Sequence, residues 1–181
     1  MNVSKLPQLT LVIGGAASGK SAFAEKLVLQ QRKKPLYLAT AQAWDVEMQQ
    51  KIDLHRQSRG PDWQTIEAPL DLCPHLEAIT DEHVILLDCA TLWLSNHLLA
   101  AHDLRAQGAA LLAALAGSAA KTVVVTNEVG QGIVPQHALG RQFRQAQGAL
   151  NQALAAQAGL VVAIIAGLPL VLKGQLPEVL S

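Results

Sequence analysis

The sequence predicts an α/β domain: a doubly wound, mostly parallel sheet with helices on both faces. Three observations carry that prediction. Short apolar runs recur along the chain and are near-continuous rather than alternating, as in strands buried on both faces. The stretches between them are helical in pattern. The first apolar run also opens directly into a glycine-rich loop followed by a helix-like segment.

That first run is Leu9 to Ile13. The loop after it, Gly14, Gly15, Ala16, Ala17, Ser18, Gly19, Lys20 and Ser21, reads GGAASGKS, a complete G-x-x-x-x-G-K-[ST] phosphate-binding pattern. Glycines let successive backbone N–H groups turn inward around phosphate oxygens, which a Cβ obstructs. Lys20 is placed to reach the β- and γ-phosphates, and the Ser21 hydroxyl to ligate Mg²⁺. The helix expected from Ser21 to Gln31 adds its positive dipole end. The prediction is therefore a sheet of the P-loop NTPase type.

Further strands are expected at Pro35 to Ala39, His83 to Asp88, Thr122 to Thr126 and Leu160 to Ala166. Helices are expected at Asp45 to Gln57, at Thr91 to Leu115 with a break near Asp103, and at Ala138 to Ala156. Leu168 to Lys173 reads as a last strand, and Gly174 to Ser181 as a tail. The chain shows no repeat, low-complexity block or linker, so residues 1 to 181 are expected to form one nucleotide-binding domain.

Half of the 181 residues are hydrophobic but only 3% are aromatic, so the core is expected to be aliphatic. Formal net charge is zero, and the one basic patch, Arg32-Lys33-Lys34, is short, which argues against nucleic acid as a partner. Cys73 and Cys89 form no CxxC pair and no disulfide framework, consistent with a reducing cytoplasm. The start of the chain leaves no room for a signal peptide before the first strand. The uncharged stretch from Gln145 to Leu172 is interrupted by Gly167 and Pro169, and its wholly apolar part falls short of a membrane span.

In doubly wound sheets, ligands sit at the carboxyl ends of the strands. Asp88 closes the run VILLD there and has two readings: a Mg²⁺ ligand beside the phosphate loop, or a cap for the next helix. Thr126, Asn127 and Glu128 either orient a substrate hydroxyl or a metal-bound water, or satisfy their own loop. On the helix expected after the second strand, Glu47 and Lys51 pair at i,i+4, and Met48 and Ile52 form a narrow apolar stripe. His55 lies at its edge with Arg56 and Arg59 nearby. By spacing alone it is a half-buried surface histidine. Its cationic neighbours nevertheless favour a neutral, nucleophilic imidazole and suit phosphate oxygens. The other histidines show no metal-ligand spacing.

These residues resemble one family: the bifunctional adenosylcobinamide kinase/adenosylcobinamide-phosphate guanylyltransferases of cobalamin assembly. The likeness runs from GGAASGKS through YLATAQ (Tyr37 to Gln42), EMQQKIDLHR (Glu47 to Arg56), RGPDWQTIE (Arg59 to Glu67) and LLDC (Leu86 to Cys89). It continues in TNEVGQGIVP (Thr126 to Pro135) and RQFRQAQGALNQ (Arg141 to Gln152). The resemblance implies two reactions. ATP or GTP phosphorylates the aminopropanol hydroxyl of adenosylcobinamide, and GTP then gives GMP to that phosphate, releasing pyrophosphate and adenosylcobinamide-GDP. It implies His55 as the residue that carries GMP covalently. Nucleotide contacts are implied at Gly14 to Ser21, at Thr40, Ala41 and Gln42, at Arg56, Gln57, Ser58 and Arg59, and at Glu67 and Asp88. A homotrimer is implied as well. The chain departs from the family pattern at Ala17, usually Arg, at Leu54, where some members carry His, and at Gln145, often acidic. Two other readings of the loop are a small-metabolite kinase without nucleotidyl transfer and a regulator that hydrolyses nucleotide; neither needs His55.

Overall fold

The computed structural model describes residues 6–42, 50 and 59–177. The first apolar run forms β1 (Leu9–Gly14), followed by α1 (Lys20–Leu29) and β2 (Lys34–Ala39). Next come β3 (Gln64–Glu67), α2 (Leu72–Ala78), β4 (His83–Asp88), α3 (Ala90–Leu99) and α4 (Leu104–Gly117). The chain continues through β5 (Lys121–Asn127), α5 (Ala138–Gln157), β6 (Leu160–Ile165) and β7 (Leu168–Lys173). The helix expected from Asp45 to Gln57 lies, but for Gln50, outside the described residues, as does the end of the tail.

The strands form one seven-stranded sheet in the order β3-β2-β4-β5-β1-β6-β7. Every pairing from β3 to β6 is parallel, and β7 alone runs antiparallel, on β6. The expected mostly parallel sheet is thus present, with one strand more than the sequence indicated.

The near-continuous apolar strands split by alternation between two cores. Leu36, Leu38, Ile85, Leu87 and Val124 face α2, α3, α4 and α5, in a cluster that includes Leu76, Trp93, Leu111 and Leu154. Tyr37, Val84, Leu86, Val123 and Val125 face the other way, against Phe23, Ala24, Leu27 and Val28 of α1. Burial on both faces is why these runs lack a polar alternation.

Two departures from the expected elements have local causes. The helix expected from Thr91 to Leu115 is two helices: α3 ends at Leu99, Ala101 takes a left-handed φ of 57°, and Asp103 caps α4 by accepting from the Arg105 and Ala106 N–H groups. β3 and α2 fill a stretch to which the sequence reading assigned no element. β3 is four residues long and at most half-buried, so it carries little apolar signal.

Candidate active site

The phosphate loop leaves β1 beside two neighbours. Gly14 pairs in register with Asn127 of β5 and with Ile164 of β6. A Cβ on Gly14 would lie 2.6 Å from Ser18 Oγ and 2.7 Å from the Ile164 carbonyl, so this position closes the loop tightly only as glycine. Gly19, immediately before α1, has φ of 92°, a left-handed conformation that L side chains disfavour. The loop is also tied to its surroundings: the Gly167 N–H donates to the Ser18 carbonyl at 2.9 Å and the Glu128 N–H to the Gly14 carbonyl at 3.1 Å.

Within the loop, Lys20 is the first residue of α1, and its ammonium donates to the Gly15 carbonyl at 3.1 Å. Ser21 follows in the first helical turn, half-buried. The Ser18 hydroxyl is buried without a hydrogen-bond partner. Gly15, Ala16 and Ala17 are exposed and, with Glu128, Gln131 and Leu172, line a cavity of about 530 Å³.

Across the sheet, Ala39 pairs in register with Asp88 on one side and Glu67 on the other, which brings the ends of β2, β3 and β4 level. β5 lies between β4 and β1, so Asn127 stands between Asp88 and the loop along this edge. The Asn127 side-chain oxygen is buried and has no partner. Asp88 ends β4 half-buried. The helix-capping role belongs to its neighbour, since Cys89 Sγ accepts from the Leu92 N–H at 3.4 Å. Burial, then the Asp88 charge, pushes the Cys89 thiol up to about 11, so it stays protonated at neutral pH.

Thr40 is fully buried and its hydroxyl is spent on structure: it accepts from the Cys89 N–H at 2.7 Å and donates to the Cys89 carbonyl at 2.8 Å. It ties β2 to the turn after Asp88. Ala41 and Gln42 follow, half-buried. Arg59 stacks on Tyr37, its guanidinium carbon 3.5 Å from the ring centroid, with Trp63 edge-on to the same ring. The Arg59 Nε and Nη1 atoms are buried without partners. The Tyr37 hydroxyl faces Asp88 and Arg59. Burial, then the Asp88 charge, push its pKa far up against the opposing pull of Arg59, so it stays protonated near that carboxylate. His55, Arg56, Gln57 and Ser58 lie outside the described residues.

Sequence reasoning missed Tyr37 and a buried network behind the site. Thr126 Oγ1 donates to Asn151 Oδ1 at 2.7 Å and accepts from Gln147 Nε2 at 2.9 Å. The Thr91 hydroxyl accepts from the Asn127 N–H at 2.7 Å, and Asn151 Nδ2 donates to the Asn127 carbonyl at 3.1 Å. This network fixes the backbone of Asn127 from α3 and α5. The visible signal was Gln147 and Asn151 at i,i+4 on the same stripe as Leu150 and Leu154, which is the face of α5 that the structure buries.

A loop of the phosphate-binding pattern, a lysine at the head of the following helix and a carboxylate at a nearby strand end mark the class of P-loop nucleotide-using enzymes. The chain belongs to the cobinamide kinase / cobinamide phosphate guanyltransferase family, CobU, whose profile matches residues 10–172. It is 41% identical over 168 residues to the bifunctional adenosylcobalamin biosynthesis protein CobP of Pseudomonas aeruginosa, covering 91% of this chain and 97% of that one. It is 38% identical over 182 residues to CobU of Escherichia coli K12, covering 91% and 99%. In fold alone it is similar to an ATPase of a bacterial type III secretion system, with a TM-score of 0.56 at 11% identity over 87% of this chain and 51% of that one.

Proposed function

We propose that this protein phosphorylates the aminopropanol hydroxyl of adenosylcobinamide and then guanylylates the product. The observation that carries the reading is the placement of Lys20, Asp88 and the loop at the carboxyl ends of central strands in a chain of this family. In the first step the hydroxyl oxygen attacks the γ-phosphorus of ATP or GTP, the bond to the β-phosphate oxygen breaks, ADP or GDP leaves, and the hydroxyl proton passes to solvent. Phosphoryl transfer relies on positioning and charge neutralisation, which the loop N–H groups, Lys20 and Arg59 supply. In the second step a nitrogen of His55 attacks the α-phosphorus of GTP and pyrophosphate leaves. The corrinoid phosphate oxygen then attacks the same phosphorus, the P–N bond breaks, and adenosylcobinamide-GDP forms.

Ser21 and Asp88 fit Mg²⁺ by chemistry, since hydroxyl and carboxylate oxygens are the hard donors it prefers. Bound there, Mg²⁺ would neutralise charge on the β- and γ-phosphates. We place Gly14 to Ser21, Thr40 to Gln42, Arg56 to Arg59, Glu67 and Asp88 around the nucleotide, with Thr40 acting through the backbone it holds. The working unit in this reading is one nucleotide-binding domain per chain, assembled as a homotrimer in the cytoplasm. Among the described residues no helix is long and apolar enough to cross a membrane.

The test is covalent labelling with α-labelled GTP. The native protein should retain label after denaturation, as an acid-labile, alkali-stable phosphoramidate. His55→Ala should lose label and the guanylyl step while still phosphorylating adenosylcobinamide. Label that persists on the alanine variant would exclude His55 as the carrier.

A further inference from the structure

The segment after Asn127 is exposed yet held firmly. Glu128 Oε1 accepts from the Gly130 N–H, and Arg144 Nη2 donates to the Gly130 carbonyl. Arg141 Nη1 donates to the carbonyls of Pro135, at 3.1 Å, and Gln136. Gly140 packs so closely that a Cβ there would lie 2.9 Å from Pro135 Cβ. On this clamped segment Ile133 is 97% exposed and Val134 62%. A loop pinned at both ends that holds two branched apolar side chains in water is preorganised for an apolar ligand.

Behind Val134 lies a cavity of about 610 Å³, walled by one stripe of α5: Arg141, Arg144, Gln145, Gly148 and Gln152. Its lining combines small residues with guanidinium and carboxamide groups. The cavity is adjacent to the phosphate loop, because the segment begins at Glu128, whose N–H bonds Gly14. A ligand here must be broad and apolar on one face, with amide groups at its rim, and reach the phosphate loop by an arm.

We propose that this segment and cavity are the acceptor site, with the corrin macrocycle lying on Ile133 and Val134. Its peripheral amides enter the cavity, accepting from Arg141 and Arg144 and exchanging hydrogen bonds with Gln145 and Gln152. The proposal rests on the functional reading above. Contact with a second copy of the chain is assigned instead to β7, the free edge of the sheet, where Leu168, Leu170 and Leu172 are exposed.

The probe is dicyanocobinamide, measured by equilibrium dialysis on the full chain, with ATP and adenosylcobinamide KM and sedimentation recorded in parallel. The variants are Ile133→Ser with Val134→Ser, at exposed positions, and Gln152→Ala. Each should bind dicyanocobinamide several-fold to tenfold more weakly and raise the adenosylcobinamide KM in step, leaving ATP KM and sedimentation unchanged. Unaltered dicyanocobinamide binding in variants of a protein that binds it normally would overturn the site alone. So would variants whose main effect is on sedimentation, which would make the segment a contact between copies. A native protein that binds no cobinamide at all would remove the functional reading and this site together.

Discussion

Lys20 illustrates how much a single side chain contributes at this site. At an effective dielectric near 20, a cation–phosphate contact is worth about 4 kcal/mol before desolvation, against at most ~1 kcal/mol for a surface pair. Lys20→Ala should therefore lower both transfer steps by at least about a hundredfold while thermal stability stays within a few degrees; near-normal phosphorylation of adenosylcobinamide would remove Lys20 from the site. Asp88 separates its two sequence readings in a similar way. The cap of α3 is Cys89 Sγ, not Asp88, so Asp88→Asn should leave the melting temperature nearly unchanged and shift the Mg²⁺ dependence of the rate to higher concentration. An unchanged Mg²⁺ curve with a lowered melting temperature would restore the structural role. The loop was legible because its residues are contiguous. Tyr37 was not, because its pairing with Arg59 and Asp88 depends on three separate chain segments meeting across β2 and β4.

At the scale of elements, legibility followed length and burial. β1, β4 and β5 each bury at least four consecutive residues and were placed within a residue or two, whereas β3 has no fully buried residue. α2 spans only seven residues, too few to show a periodicity, and Asp71 at its start, though of a type that caps helices, makes no side-chain cap. The loop before α2 is instead held from α3: Leu70 O accepts from Trp93 Nε1 at 2.8 Å and contacts His97 Nε2 at 3.3 Å. His97 Nδ1 lies 2.8 Å from His102 Nδ1. If Nε2 donates to Leu70, Nδ1 must accept from His102, so His97 has no room for a second proton. Burial chiefly lowers the His97 pKa; the hydrogen bond to Leu70 opposes it, His102 adds a smaller lowering, and Asp71 opposes least. The sign follows from linkage: the unfolded chain takes up a proton near the ordinary value of 6.5 and the folded one resists, so stability falls as pH drops below that value. Denaturant midpoints between pH 7.5 and 5.5 should fall more steeply for the native chain than for His97→Gln. Parallel slopes would clear His97 of the effect.

For the whole molecule, the sheet closes one edge and leaves the other bare. β3 is short and polar, as an edge strand tends to be, but all six residues of β7 are exposed, including Leu168 at 71%, Leu170 at 53% and Leu172 at 60%. Beside them Ile165 of β6 is 63% exposed. A hydrophobic edge strand with unpaired backbone groups invites pairing with another chain, and stable interfaces cover about 800 Å² per partner. This edge also borders the phosphate loop. The turn between β6 and β7 bonds the phosphate loop through Gly167 and Ser18, and Leu172 lines the cavity over that loop. Covering β7 would therefore shield one side of that cavity from water, which in the proposed reading would link assembly to catalysis. The homotrimer that we propose should sediment at three times the 19.2 kDa chain mass. The double variant Leu168→Asp with Leu170→Asp should shift it to the single-chain value and weaken nucleotide turnover, while remaining folded by circular dichroism. A native chain that sediments as a monomer, with unaltered turnover in the double variant, would leave β7 as a bare edge with no part in assembly.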